Sequence, residues 1–159
     1  MPNWCNVVLN VSGDNKKLED MVVNIKNKGF FQAVIPLEHY SIDNAIERWG
    51  TKWEANIEMV ELESNNDGTA DLFLDFNSAW DPPINVLKAL AKEYQVESWW
   101  VERGQKIAGQ IVSDGKGSYE LKELKDVVTI SNVPEKDRND LVYGLEEWLK
   151  DEEEFQKEY

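Results

Sequence analysis

The chain reads as an α+β domain, an antiparallel sheet carrying its helices on one face. Three observations predict it. Short runs rich in β-branched and aromatic residues alternate with segments whose apolar residues recur at helical spacing. Strand-like runs come in pairs joined by tight turns, Asn65-Asn66-Asp67-Gly68 above all, and an Asp-Gly turn favours a hairpin. A length of 159 residues with 42% hydrophobic content suits a single core.

In chain order, Val7-Val8-Leu9-Asn10-Val11 is a strand ending at the turn and cap signal Ser12-Gly13-Asp14. Leu18, Met21, Val22 and Ile25 then mark one side of a helix closed by Gly29. The apolar stretch 30–36 reads as extended and is stopped by Pro36. Residues 41–50 read as a short helix capped by Ser41 or Asp43, with Ile42, Ala45, Ile46 and Trp49 as its apolar stripe and Gly50 as a left-handed terminator. The 53–63 run is a strand whose alternation shifts parity near Met59, the signature of a bulge. Its partner, 69–77, turns Leu72, Leu74 and Phe76 to one face. Asp81-Pro82-Pro83 opens the next helix, where missing N–H groups cost nothing, and Ile84, Leu87, Leu90, Ala91 and Tyr94 point inward. Runs 96–103 and 106–112 form a second hairpin. Strand, helix, two strands, helix, two strands is close to a ferredoxin-like split β-α-β sandwich.

Gly115-Lys116-Gly117-Ser118 is the natural junction, dividing a 1–114 domain from a 115–159 extension packed on it. The extension is expected to hold a short strand at 127–130 and a helix from Pro134. Leu141, Leu145, Trp148, Leu149 and Phe155 make that helix's apolar stripe. Glu146, Glu147, Asp151, Glu153 and Glu154 lie on its opposite face.

Composition narrows function mostly by exclusion. A net charge of −14 repels nucleic acid phosphates and anionic membranes. No run approaches the roughly 18–20 apolar residues that cross a bilayer. The single cysteine, Cys5, reads as a small buried hydrophobe, and with the single histidine, His39, it offers neither a zinc set nor a nucleophile–base pair. Asp71 and Asp75 share a strand face that Glu58 or Glu61 could complete as a magnesium site, although acidic chains produce such alignments by chance. From residue 134 to the end, ten acidic residues stand against four basic ones.

Seven tryptophans stand out, and three of them lie in Trp49-Gly50-Thr51-Lys52-Trp53 and Ala79-Trp80-Asp81-Pro82-Pro83. As framework, Trp49 caps a helix stripe while Trp53 and Trp80 bracket the central hairpin. As recognition residues, Trp49, Lys52, Trp53, Trp80 and Trp99 would frame a ligand pocket.

At these motifs the chain resembles the YubB-type ferredoxin-like proteins encoded by bacteriophages and conjugative plasmids. The matching features are Met1-Pro2-Asn3-Trp4-Cys5, the two tryptophan motifs and Ala108-Gly109, spread over 1–114. Departures are Asp81 in place of a usual Ser, and Trp100-Val101-Glu102-Arg103 in place of a turn with Tyr, Glu and Pro. The resemblance implies a ferredoxin-like fold and a mobile-element origin, and transfers no catalytic residue.

The expectation is therefore a non-enzymatic phage accessory protein, without cofactor, in the host cell cytoplasm. It would bind a basic host or anti-phage defence protein through Glu146, Glu147, Asp151, Glu153 and Glu154, and a narrower version has it imitate DNA. The alternative is a binder or sponge for nucleotide-type signals using the tryptophan pocket. Oligomeric state is left open.

Overall fold

The computed structural model describes residues 3–158. Met1 and Pro2 of the first motif lie outside the described residues, as does Tyr159. A single six-stranded sheet runs β2-β3-β1-β4-β5-β6, with every neighbouring pair antiparallel. Its strands are β1 Trp4–Asp14, β2 Asn56–Ser64, β3 Thr69–Ala79, β4 Gln95–Glu102, β5 Ile107–Ser113 and β6 Tyr119–Lys125. The first four, in the order β2-β3-β1-β4, are the ferredoxin-like sheet. Helix α1 (Asn15–Lys28), with α2 (Phe30–Val34) and α3 (Ile42–Trp49), fills the crossover from β1 to β2; α4 (Ile84–Glu93) fills that from β3 to β4.

Strand alternation gives the two faces different jobs. Val7, Leu9 and Val11 oppose Phe76, Leu74 and Leu72 on one side and Trp100, Ser98 and Val96 on the other. This face meets Leu18 and Ile25 of α1 and Val86, Leu87, Leu90 and Ala91 of α4 in the main core. On the far face, Val101, Ala108 and Leu124 form a second core with Leu145 and Leu149 of α6 (Tyr143–Glu158). The α6 helix therefore covers the β4–β6 half of that face. The other half, from β2, β3 and β1, stays open, with Met59 45% exposed on the edge strand β2.

Trp99 and Trp100, adjacent in β4, are turned to opposite faces by the same alternation. Each lies flat where a glycine leaves room. A β-carbon on Gly109 would sit 2.4 Å from the Trp100 ring, and one on Gly144 of α6 would sit 2.4 Å from Trp99 Nε1.

Several local expectations need correction. The 30–36 stretch is not extended: α2 forms there because the distant Glu54 carboxylate accepts from the Phe31 and Gln32 N–H groups at 2.6 and 2.9 Å, capping its first turn. The α3 stripe is split, with Ala45 and Trp49 buried but Ile42 and Ile46 each 50% exposed. The bulge falls between Ile57 and Met59, so Ile57, Val60 and Leu62 pack inward while Met59 turns out. The sixth strand is Tyr119–Lys125 rather than 127–130, where a 3₁₀ turn, Ile130–Asn132, is found instead. Charge hid this strand, since edge strands carry Lys and Glu that discourage further pairing. Gly115-Lys116-Gly117-Ser118 is its hairpin turn with β5, tied by Asp114, whose Oδ1 accepts from Lys116 N and Ser118 N. The helix expected from Pro134 is two: α5, Glu135–Arg138, and then α6.

Candidate functional site

The two tryptophan motifs meet at one end of the sheet. Gly50 ends α3 in the left-handed conformation (φ 92°, ψ 0°), and a β-carbon there would lie 3.1 Å from the Ile84 backbone nitrogen at the start of α4. Thr51 is buried and donates from Oγ1 to Ala79 O at 2.7 Å, latching one motif to the other. Tyr40 Oη donates to Lys52 O at 2.6 Å. The Lys52 ammonium lies over two indoles, 4.5 Å from the Trp53 centroid and 5.5 Å from that of Trp80. Such cation–π contacts contribute about 0.5–1 kcal/mol each when exposed.

The second motif bends the chain through two successive three-residue turns of opposite hand. Asp81 N donates to Ala79 O at 2.8 Å across Trp80, whose φ is 67°, the rare and strained γ-turn. Ile84 N donates to Pro82 O at 2.8 Å across Pro83 (φ −77°, ψ 68°), the common inverse form. A bulky residue at positive φ is a genuine outlier, held here because Trp80 N donates to Asn3 O and Gln105 donates to Trp80 O. The strain gives a direct test: Trp80→Gly should be more stable than Trp80→Ala by about 1 kcal/mol, reversing the usual order of these two residues. Equal or inverted midpoints in urea would show the turn to be unstrained.

Of the five residues expected to frame a pocket, three come together and two do not. Lys52, Trp53 and Trp80 cluster at the sheet end. Trp49 instead lies in the main core, its Nε1 donating to Ile35 O at 2.8 Å and its ring 5.5 Å from Phe31. Trp99 lies under α6 on the far face. Sequence spacing missed two aromatic members. Trp4 is 6.1 Å from Trp53. On the other side of Trp4, a cleft of about 240 Å³ separates it from Trp148, whose ring carries the Arg103 guanidinium at 5.2 Å. Trp4 stands opposite Ala79 in the β1–β3 ladder, so only the sheet register brings it to the motifs.

The acids sort differently. On α6, Glu146 and Glu147 pair with Lys150, at 2.7 and 3.8 Å, and Glu154 pairs with Lys157 at 3.6 Å. Glu153 accepts from the Ser131 N–H and hydroxyl, which holds its carboxyl below the usual range, and Asp151 is exposed. Four of these five acids are thus engaged within the chain, although only two lysines stand against them. The open half of the sheet differs. Glu61 and Glu63 of β2, Asp71 and Asp75 of β3 and Glu97 of β4 all point to it around Met59, Phe73 and Val8, and no strand position on this half carries Lys or Arg. Asp71 and Asp75 are four residues apart along β3, about 13 Å, too far to share one ion. Ser12 donates to Asp71 at 2.6 Å and Asn6 to Asp75 at 3.0 Å. Among the described residues no group of three or more metal-ligating side chains converges.

Cys5 is fully buried, and its thiol is pushed far up by burial first, then by the neighbouring Glu102 and Asp81 carboxylates. It serves as packing. Among the described residues no helix is long and apolar enough to cross a membrane.

Sheet order, paired crossovers and helix placement define a ferredoxin-like α+β domain. A family model described as the ferredoxin-like domain in Api92-like protein matches residues 49–146, more than half of the chain, and the chain belongs to that family. Neither a curated protein nor a solved structure matches it.

Proposed function

We propose that this is a non-enzymatic accessory protein of phage or plasmid origin that acts in the host cytoplasm by binding a host protein with a basic surface, a component of anti-phage defence. The observation that carries the reading is the open half of the sheet. Val8, Phe73 and Met59 are interspersed there with Glu61, Glu63, Asp71, Asp75 and Glu97, Asp75 standing between Met59 and Val8. Exposed apolar residues mixed with charges of one sign can bury area against a partner and select one of opposite sign. This surface displaces the α6 acids as the preferred contact, because most of those are already paired.

Glu63 and Asp71 are directly opposed across β2 and β3 on the open face. Like charges so placed destabilise a sheet, typically by a few tenths to about 1 kcal/mol. Replacing Glu63 by Gln should therefore raise stability by about 0.5 kcal/mol, read as a higher urea midpoint. A triple variant, Glu61→Lys, Glu63→Lys and Asp71→Lys, should remain folded yet lose a basic partner that the wild type retains at low salt. Retention of that same partner by the variant would sink the reading. In the DNA-mimic version the partner binds nucleic acid and duplex DNA competes; a complex indifferent to DNA removes that version alone.

A further inference from the structure

A second cleft, on the opposite side of the sheet end from the acidic half-sheet, has the build of a small-molecule site. Its volume is about 380 Å³, within the roughly 300–1,000 Å³ of ligand pockets. The lining is apolar at depth, from Ile84, Trp100 and Ile107. Around the mouth stand Asp81, Gln105, Glu123 and Lys125, two carboxylates against one ammonium. None of the five residues expected from sequence to frame a pocket lines it. The motifs build it with backbone instead, Gly50 closing against Ile84 on one wall and the paired γ-turns setting Asp81 and Pro82 on another.

We infer that this cleft binds a small organic cation, an amine or amidine on a flat apolar body, with the body over Ile84 and Ile107 and the cationic group between Asp81 and Glu123. The polarity follows from the charges. Asp81 meets a neutral amide, Gln105, and a buried carboxylate, Glu102, and makes no ion pair among the described residues. Partial burial, then Glu102, pushes its acid above the ordinary range. A bound cation would supply the missing partner, as a charge-assisted hydrogen bond. A phosphate-bearing ligand would face both carboxylates, so the rim disfavours nucleotide-type signals.

Benzamidine serves as the probe, titrated calorimetrically into the full chain beside benzamide and benzoate, which share its ring but not its charge. Saturable binding about tenfold tighter than either control, and weakened about fivefold or more in Asp81→Asn and separately in Glu123→Gln, supports the site. Ile107→Trp, which fills the deep end, should abolish the response in a chain whose circular dichroism is unchanged. Equal affinity for the three probes, no heat with benzamidine, or undiminished binding in both carboxylate variants overturns it. Since the half-sheet is untouched by these variants, failure here leaves the partner-binding reading standing, and loss of that reading leaves this one.

Discussion

Replacing Trp49 by alanine is expected to destabilise the protein by about 3–5 kcal/mol, a large share of the roughly 5–15 kcal/mol that holds a typical domain. The indole is only 2% exposed and packs against Phe31. Removing it leaves a cavity that the sheet and α2 fill only in part, and strands the Ile35 carbonyl that accepts its N–H. Trp53→Ala makes the contrast, since that ring is half-exposed and loses mainly its contacts with Lys52 and Trp4. Its cost should stay near 1–2 kcal/mol, by the roughly 0.5–1.5 kcal/mol scale of such ring contacts. Urea denaturation of the two variants separates framework from surface. A Trp49→Ala midpoint as mild as that of Trp53→Ala would return Trp49 to the recognition group.

Gly109→Ala is the second large effect, expected to cost about 1–3 kcal/mol and to lower the melting temperature by about 2–12 °C. The added methyl would lie 2.4 Å from a Trp100 ring that is itself 1% exposed and must shift to admit it. The double variant Gly109→Ala/Trp100→Phe should cost less than the sum of its parts, because the smaller ring clears the methyl. Gly144→Ala makes the same collision with Trp99, at 2.4 Å. There alanine also gains about 1 kcal/mol of helix propensity in α6, so the net loss should be smaller. Strict additivity at Gly109 and Trp100 would mean that the glycine serves something other than the indole.

The ferredoxin-like sheet was legible because its signals are local: the alternation at 69–77, the Asp67-Gly68 turn and the Pro82-Pro83 helix start each depend on a few neighbouring residues. The β2 bulge could also be read, from a parity shift within one strand. What escaped was decided at a distance. The α2 helix owes its first turn to Glu54, far along the chain, and the 30–36 sequence by itself has the look of a strand. The β6 strand alternates charge more than hydrophobicity, as an edge strand can, so periodicity passed over it. At the site, Lys52, Trp53 and Trp80 do come together, while Trp49 follows the helix stripe that turns it inward on sequence spacing alone, and leaves the pocket grouping. Trp4 joins them only through the β1–β3 register, and Trp99 leaves them because adjacent strand residues take opposite faces.

The position of β1 has a consequence for how the protein is made. This strand is made before the other five, yet it lies inside the sheet, between β3 and β4. Val11 pairs with Leu72 and with Val96, so the apolar row of β1 must wait for some 85 further residues before its second neighbour exists. At a synthesis rate of roughly 5–20 residues per second, that wait lasts about 4–17 s, during which Val7, Leu9 and Val11 have no complete sheet to join. Pairings this distant also slow folding once the chain is free. A nascent chain truncated before β4 should accordingly be the species that aggregates or recruits chaperones, while one extended past β5 should not.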